Sequence, residues 1–199
     1  MAKNFDLTLL PLYRLHGNEL PSPPGLMALT PPRRSARSRE KDRLIVHLTL
    51  AGNAAYSTVN YLQMTSAASE EFYKTPGSVT SALRAAATTV NGDLLERNME
   101  LSGQGRYSVG NLILCALRGD QLYVLEAGPT HVYWMADHER VHIHDVGLAG
   151  RGLGRGQATT VYLSQFQLRT DGRLLLTPKH PSSWEKILQR DNRSASLEA

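Results

Sequence analysis

The sequence has little of what marks secreted, membrane-spanning or disordered proteins. Its 199 residues include one cysteine, Cys115, which excludes a disulfide framework and favours a reducing cytoplasm. No apolar run approaches the roughly 20 residues that a membrane helix needs, and the first residues do not form a signal peptide. Because 41% of the residues are hydrophobic and the mean hydropathy is -0.31, we expect a cytoplasmic globular domain with no membrane contact from this segment.

Charge and aromatic content are also low, and both bear on nucleic-acid binding. The net charge is +4, aromatic residues make up 7% of the chain, and basic residues concentrate in the segment "PPRRSARSREKDR". A basic run can bind phosphate or nucleic acid, but no aromatic side chains stand between these arginines to stack on bases. Since "LPSPPGLMALTPP" just before it is proline-rich, we predict a Pro/Arg-rich loop over residues 17–41 and no nucleic-acid partner.

What the sequence does contain is a set of short apolar strands around two helices. Val79, Leu83, Ala86 and Val90 recur at spacings of three and four, which predicts a helix over 78–100, and a similar pattern predicts one over 55–74. A last helix is predicted over 181–190. β-branched and aliphatic runs predict strands at 5–15, 42–52, 108–118, 121–128, 131–136, 140–145, 158–168 and 172–178. This order predicts an α+β layered fold rather than alternating βαβ units.

The segments "QLYVLEAGPTHVYWM", "GRLLLTPKHP" and "EKDRLIVHLTLAGN" together resemble motifs of the PPM-type (protein phosphatase 2C-like) metal-dependent Ser/Thr phosphatases. "QLYVLEAGPTHVYWM" is similar to that family's "LYVANVGDSRAYL", and "GRLLLTPKHP" is similar to "GDRLLLCSDGL". "EKDRLIVHLTLAGN" matches the strand that leads from N-E-D to "VADGMGG". The resemblance covers most of Asp42 to Trp184. It implies a single PPM-like domain over residues 1–199, an αββα sandwich of two antiparallel sheets flanked by helices, with the family's last strand beyond Ala199.

The resemblance also implies a binuclear metal site, and this chain departs from it. PPM enzymes hold two Mg²⁺ or Mn²⁺ ions with carboxylates, and the ions activate a water molecule as the nucleophile. Of the four matched acidic positions, Asp42 keeps its acid, whereas the others hold Ala51, Pro129 and Lys179. We therefore predict a degenerate site without catalytic residues or a metal cofactor, in a non-catalytic pseudophosphatase domain. Its expected partner is an unidentified protein or phosphoprotein.

Two alternatives stay open from the sequence. One is an active phosphatase that binds Mn²⁺ or Mg²⁺ through shifted ligands, for which Asp191 in "RDNRSAS" is a weak candidate because it follows the preceding motif too closely. The other is a structural module of a larger protein. In the favoured register, Ala51, Gly52 and Lys179 face the same cleft as Asp42, and the lysine pairs with that carboxylate in place of a metal.

Two further segments carry residues that bind ions in other proteins. His142 and His144 share one strand face, and this spacing suits a transition metal, with Asp137 and His138 nearby in the sequence. The alternative is that these residues form the polar outer face of a hairpin.

The glycine-rich segment 150–156 places Arg151 and Arg155 as candidate anion-binding residues. No helix follows it, so we favour a tight loop over a phosphate-binding motif.

Overall fold

The computed structural model describes residues 5, 7–136, 139–168, 171–179 and 183–184. The strands are β1 (Tyr13–Leu15), β2 (Asn18–Leu20), β3 (Leu26–Leu29), β4 (Asp42–Gly52), β5 (Ser108–Arg118), β6 (Gln121–Ala127), β7 (His131–Met135), β8 (Arg140–Ile143), β9 (Tyr162–Gln167) and β10 (Arg173–Thr177). The helices are α1 (Thr58–Lys74), α2 (Val79–Leu101) and the short α3 (Val146–Ala149).

The strands form two larger antiparallel sheets and one small hairpin. The central sheet has the order β3-β4-β5-β6-β9, the second sheet has the order β10-β7-β8, and β1 pairs with β2. The longest pairing joins β4 to β5 over eleven residues, from Asp42 opposite Arg118 to Gly52 opposite Ser108. Because both faces of β4 are covered, its middle is a continuous buried run from Leu44 to Leu48, apolar except for His47, instead of an alternation of buried and exposed residues.

Alternation along β4 separates two cores. Leu44, Val46 and Leu48 point to a core shared with α1 and α2. Ile45 points the opposite way, into a second core shared with β7, β8 and β10. The order of layers is therefore helices, five-stranded sheet, three-stranded sheet. This confirms the predicted pair of face-to-face antiparallel sheets with two helices covering one of them.

Local sequence signals set the helix ends. Ser57 caps α1 by accepting a hydrogen bond from the Asn60 backbone, and the Asn60 side chain accepts one from the Ser57 backbone in return. Ser78 caps α2 by accepting from the Ser81 backbone N–H at 3.1 Å. Among the described helices, none combines the length and apolarity needed to cross a bilayer. The predicted helix over 181–190 lies almost wholly outside the described residues.

The N-terminal predictions need correction. The strand predicted over 5–15 is reduced to Tyr13–Leu15, because Pro11 has no N–H to donate to a ladder. The predicted loop over 17–41 contains β2 and β3, and β3 joins the central sheet with Leu26 opposite His47. The four-residue run "LMAL" lies between prolines, so its apolar pattern was too short to predict a strand.

The basic segment is also not simply a solvated loop, because Arg39 is completely buried. Its Nη1 donates to Asp42 Oδ2 at 2.7 Å, and its other nitrogens donate to the backbone oxygens of Thr75 and Gly77 between α1 and α2. Arg118 donates to both Asp42 oxygens, at 2.6 and 2.7 Å. Asp42 therefore joins three parts of the chain through two guanidinium groups, and its predicted pairing with a lysine in the cleft is wrong.

We predict that Asp42→Asn destabilises the domain by about 3–5 kcal/mol, because it leaves the buried charge of Arg39 without its counter-ion. Urea unfolding measures the change. The control is Glu19→Gln, which breaks the exposed pair with Arg14 and should cost about 0–1 kcal/mol. Equal effects of the two substitutions would mean that the buried ion cluster does not stabilise the fold.

Candidate functional site

The inner face of the central sheet, which meets the second sheet, changes from apolar to polar toward one end. The register aligns Ile45, Cys115 and Val124 in one cross-strand row. In the next such row, His47 and Glu126 flank Ile113. Beyond that row Thr49 pairs with Asn111. The gap between the sheets therefore ends in a polar site built by β4, β5 and β6.

Glu126 is the acidic group of this polar site. Its side chain is fully buried, and Thr130 Oγ1 donates to its Oε1 at 3.1 Å. Its Oε2 is buried without a hydrogen-bond partner in the described part of the chain. Burial raises the pKa of Glu126 to about 8, although the hydrogen bond from Thr130 acts in the opposite direction. The carboxyl group is therefore protonated at neutral pH and can donate a hydrogen bond.

His47 is the basic group of the site, and it too is neutral. Burial lowers its pKa to about 4, so the imidazole carries no charge at pH 7. Thr49, two residues along the same strand face, has a buried hydroxyl without a hydrogen-bond partner among the described residues. The polar site thus presents a neutral acid, a neutral imidazole and a hydroxyl.

The turn between β6 and β7 closes the site. Gly128 adopts a φ of 87°, and its N–H donates to the Ala149 backbone oxygen at 2.7 Å. A Cβ at this position would lie 2.5 Å from Asn111 Oδ1, so both conformation and space require glycine. Pro129 follows at the exposed tip, and Thr130 turns back to Glu126.

Strand register places three of the four matched metal positions toward this end of the sheets. Ala51 continues the inner face of β4 beyond Thr49, and Pro129 forms the turn. Lys179 follows the end of β10, whose last residue pairs with the first residue of β7. All three matched residues are exposed at the rim of the polar site. Whether these substitutions remove metal binding remains a prediction.

Asp42 does not share this end, and the predicted common cleft is wrong. It begins β4, whereas Ala51 lies nine residues further along, about 30 Å away at ~3.3 Å per residue. It also faces the helices, since Tyr73 Oη donates to its backbone oxygen at 3.0 Å. On the β3 side of β4, the antiparallel register brings segment 21–25, which has no carboxylate, toward this edge.

The remaining predicted site residues lie elsewhere. Arg151 and Arg155 are exposed on a tight glycine loop, which Asn91 fixes to α2 by accepting from Gly154 N–H at 2.8 Å. This confirms the loop and leaves its anion-binding role a prediction.

His142 and His144 lie on the outer face of the second sheet, opposite the face of Ile143 that enters the inter-sheet core. Asp137, His138 and Asp191 lie outside the described residues.

Comparison with known proteins identifies the architecture. No protein-family model matches the sequence, and no curated protein matches it significantly. The catalytic domain of the serine/threonine protein phosphatase PstP, solved with two manganese ions, superposes with a TM-score of 0.59 at 19% identity, covering 82% of this chain and 81% of PstP. This chain has the PPM phosphatase fold. At such identity the similarity establishes the fold alone.

Two further PPM-fold structures support the same conclusion. The S. agalactiae serine/threonine phosphatase has a TM-score of 0.57 at 12% identity over 76% of this chain and 77% of its own. Stp1 from Staphylococcus aureus has a TM-score of 0.56 at 10% identity over 98% of this chain and 89% of its own. The PPM resemblance of the strand texts is thereby confirmed at the level of fold.

Sequence analysis missed the groups that form the polar site, Glu126 above all, together with His47 and Thr49. Glu126 stands in "LYVLEAG", one acid inside a strand whose other residues are mostly apolar. An isolated charge at a position where alternation predicts a buried side chain was the available signal. The glycine two residues later and the similarity to a phosphatase motif point to the turn instead.

We predict that Glu126→Gln removes a pH-dependent loss of stability. Below about pH 4.5 the carboxyl is protonated in both states; between 4.5 and 8 only the unfolded chain releases its proton, so the unfolding free energy falls as pH rises. The variant should therefore exceed the parent protein at pH 8 by roughly 1–3 kcal/mol. Chemical denaturation at pH 5 and pH 8 measures this.

The control for this prediction is Glu70→Gln, which changes an exposed glutamate on α1. It should leave the difference between the two pH values as it is in the parent protein. A Glu126→Gln variant that is no more stable than the parent at pH 8 would contradict a protonated, buried Glu126.

Proposed function

We propose that this chain is a pseudophosphatase: a PPM-fold domain that binds or regulates a partner and does not hydrolyse phosphate esters with Mg²⁺ or Mn²⁺. The observation that carries the proposal is the small number of carboxyl side chains at the polar site. On the inner strand faces that the structure describes, Glu126 is the only carboxyl side chain. Alanine, proline and lysine stand where the resemblance places three acidic ligands.

This small number of carboxylates supports the proposal because hard divalent cations depend on carboxylate ligands. Two such ions placed close together repel, and carboxylates must offset that charge while leaving positions for water. In the metal-free protein burial raises the pKa of Glu126 to about 8, so a cation at this carboxyl would first have to displace its proton. Lys179 at the rim adds a positive charge that disfavours a cation there.

A binding role is supported by the exposed charges around the polar site. Cationic side chains of Lys179 and of the glycine loop stand exposed, which favours a phosphorylated protein segment as the partner. The buried Cys115 thiol, the chain's one cysteine, agrees with a reducing cytoplasm.

The catalytic half of the proposal predicts no turnover of p-nitrophenyl phosphate or of a phosphopeptide across a millimolar series of Mn²⁺ and Mg²⁺. The matched variant restores the three acids as Ala51→Asp, Pro129→Asp and Lys179→Asp, and calorimetry compares its Mn²⁺ binding with that of the parent. Metal-dependent turnover by the parent protein would support the alternative of an active phosphatase with atypical ligands and would overturn the proposal.

The proposed binding role predicts that a phosphopeptide binds to this domain more tightly than its unphosphorylated counterpart. Replacing Arg151, Arg155 and Lys179 together with alanine should remove most of that difference, because each contributes one exposed positive charge. Fluorescence anisotropy measures both affinities. The control replaces Arg33 and Arg34, which are exposed in the N-terminal segment. Equal binding of the two peptides would exclude phosphate recognition.

A further inference from the structure

We propose that His131, His142 and His144 form a binding site for a first-row transition-metal dication, Zn²⁺ above all. The ligand nitrogens of these three residues all lie within 4.8 Å of one another. The proposal goes beyond the pseudophosphatase function and does not depend on it, because the cluster lies on the outer face of the three-stranded sheet.

Strand register brings the three imidazoles together. Val132 pairs with Ile143, and Tyr133 pairs with His142. Continuing that antiparallel register places His131 opposite His144, and His142 stands two residues from His144 on the same face. The ring centroids of His131 and His144 are 4.2 Å apart, and His142 lies 5.3 and 5.4 Å from them.

Distances between the nitrogens suit shared coordination. His131 Nδ1 and His142 Nε2 are 3.1 Å apart. Two ligands of a tetrahedral zinc, each at about 2.0–2.1 Å, are separated by about 3.3 Å. The distance within this pair is therefore close to the distance between two ligands of one ion. The third nitrogen lies within 4.8 Å of the other two, so it needs to move by at most about 1.5 Å to reach the same spacing.

The surroundings of the rings favour defined ligand orientations. His144 Nδ1 lies 2.6 Å from the Thr130 backbone oxygen. Donation to that carbonyl makes Nδ1 the protonated nitrogen and leaves the lone pair on Nε2 for a metal, the arrangement found around metal-bound histidines. His142 stacks on Tyr133 with centroids 4.1 Å apart and planes 6° from parallel, which limits its rotation.

The donor set selects the class of ion. Neutral imidazole suits Zn²⁺, Cu²⁺ and Ni²⁺, whereas Mg²⁺ prefers oxygen ligands. Three protein ligands leave a fourth position of a tetrahedral ion for water or an external anionic group. The cluster and the polar site between the sheets thus differ in the metals that their side chains suit.

The test titrates chelator-treated protein with Zn²⁺ by calorimetry and with Co²⁺ by visible absorption, which reports tetrahedral coordination. We expect one strong site per chain, unaffected by millimolar Mg²⁺, and a rise in Tm with Zn²⁺. His142→Ala should weaken Zn²⁺ binding at least tenfold and abolish the Tm rise. His142 is exposed, so this substitution should leave the fold intact, as circular dichroism verifies.

The control is His16→Asn, which changes an exposed histidine in the β1–β2 turn and retains a residue that tolerates its φ of 50°. It should bind Zn²⁺ as the parent does. His144→Ala provides a second test of the cluster with the same expected loss. A loss below tenfold in both cluster variants, or an equal loss in His16→Asn, would overturn the proposed site.

Discussion

The eleven-residue pairing of β4 with β5 is the constraint on which the rest of the molecule depends. The middle of each strand is covered on both faces, so successive side chains there alternate between the two cores. A slip of one residue would send Ile45 toward the helices and Val46 into the inter-sheet layer. The register is fixed at the Asp42 end by the buried ion cluster with Arg39 and Arg118.

The same alternation determines the chemistry of the polar site. It places His47 and Glu126 in one row on the inner face, at the depth where the apolar layer ends. Burial then favours the neutral form of both groups, because desolvation disfavours charge and, among the described residues, no opposite charge offsets it. In the metal-free protein the inner row of this site is therefore polar and uncharged, a state suited to hydrogen bonding.

Much of the fold could be predicted because periodicity is a local property. The predicted bounds of the two long helices and of β4 agree with the structure to within three residues, and the motif similarity predicts the sandwich of two antiparallel sheets. The β3 strand was missed because four apolar residues between prolines carry too little pattern.

The site was harder to predict because it depends on pairing between distant segments. Asp42 matched a motif by its place along the chain, but strand direction put it at the far end of β4 and on the helical face. His131 joins His142 and His144 only through the β7–β8 register, so the sequence revealed two of the three histidines. Glu126 required knowing which face of β6 is enclosed.

The most direct measurement of the central proposal, that this chain does not hold a binuclear Mn²⁺ or Mg²⁺ site, is an electron paramagnetic resonance titration with Mn²⁺. Free Mn²⁺ gives a sharp signal that decreases on binding. At neutral pH and with the histidine cluster saturated by Zn²⁺, the account predicts that the signal follows total Mn²⁺ through the millimolar range. Loss of two equivalents of signal per chain would contradict it.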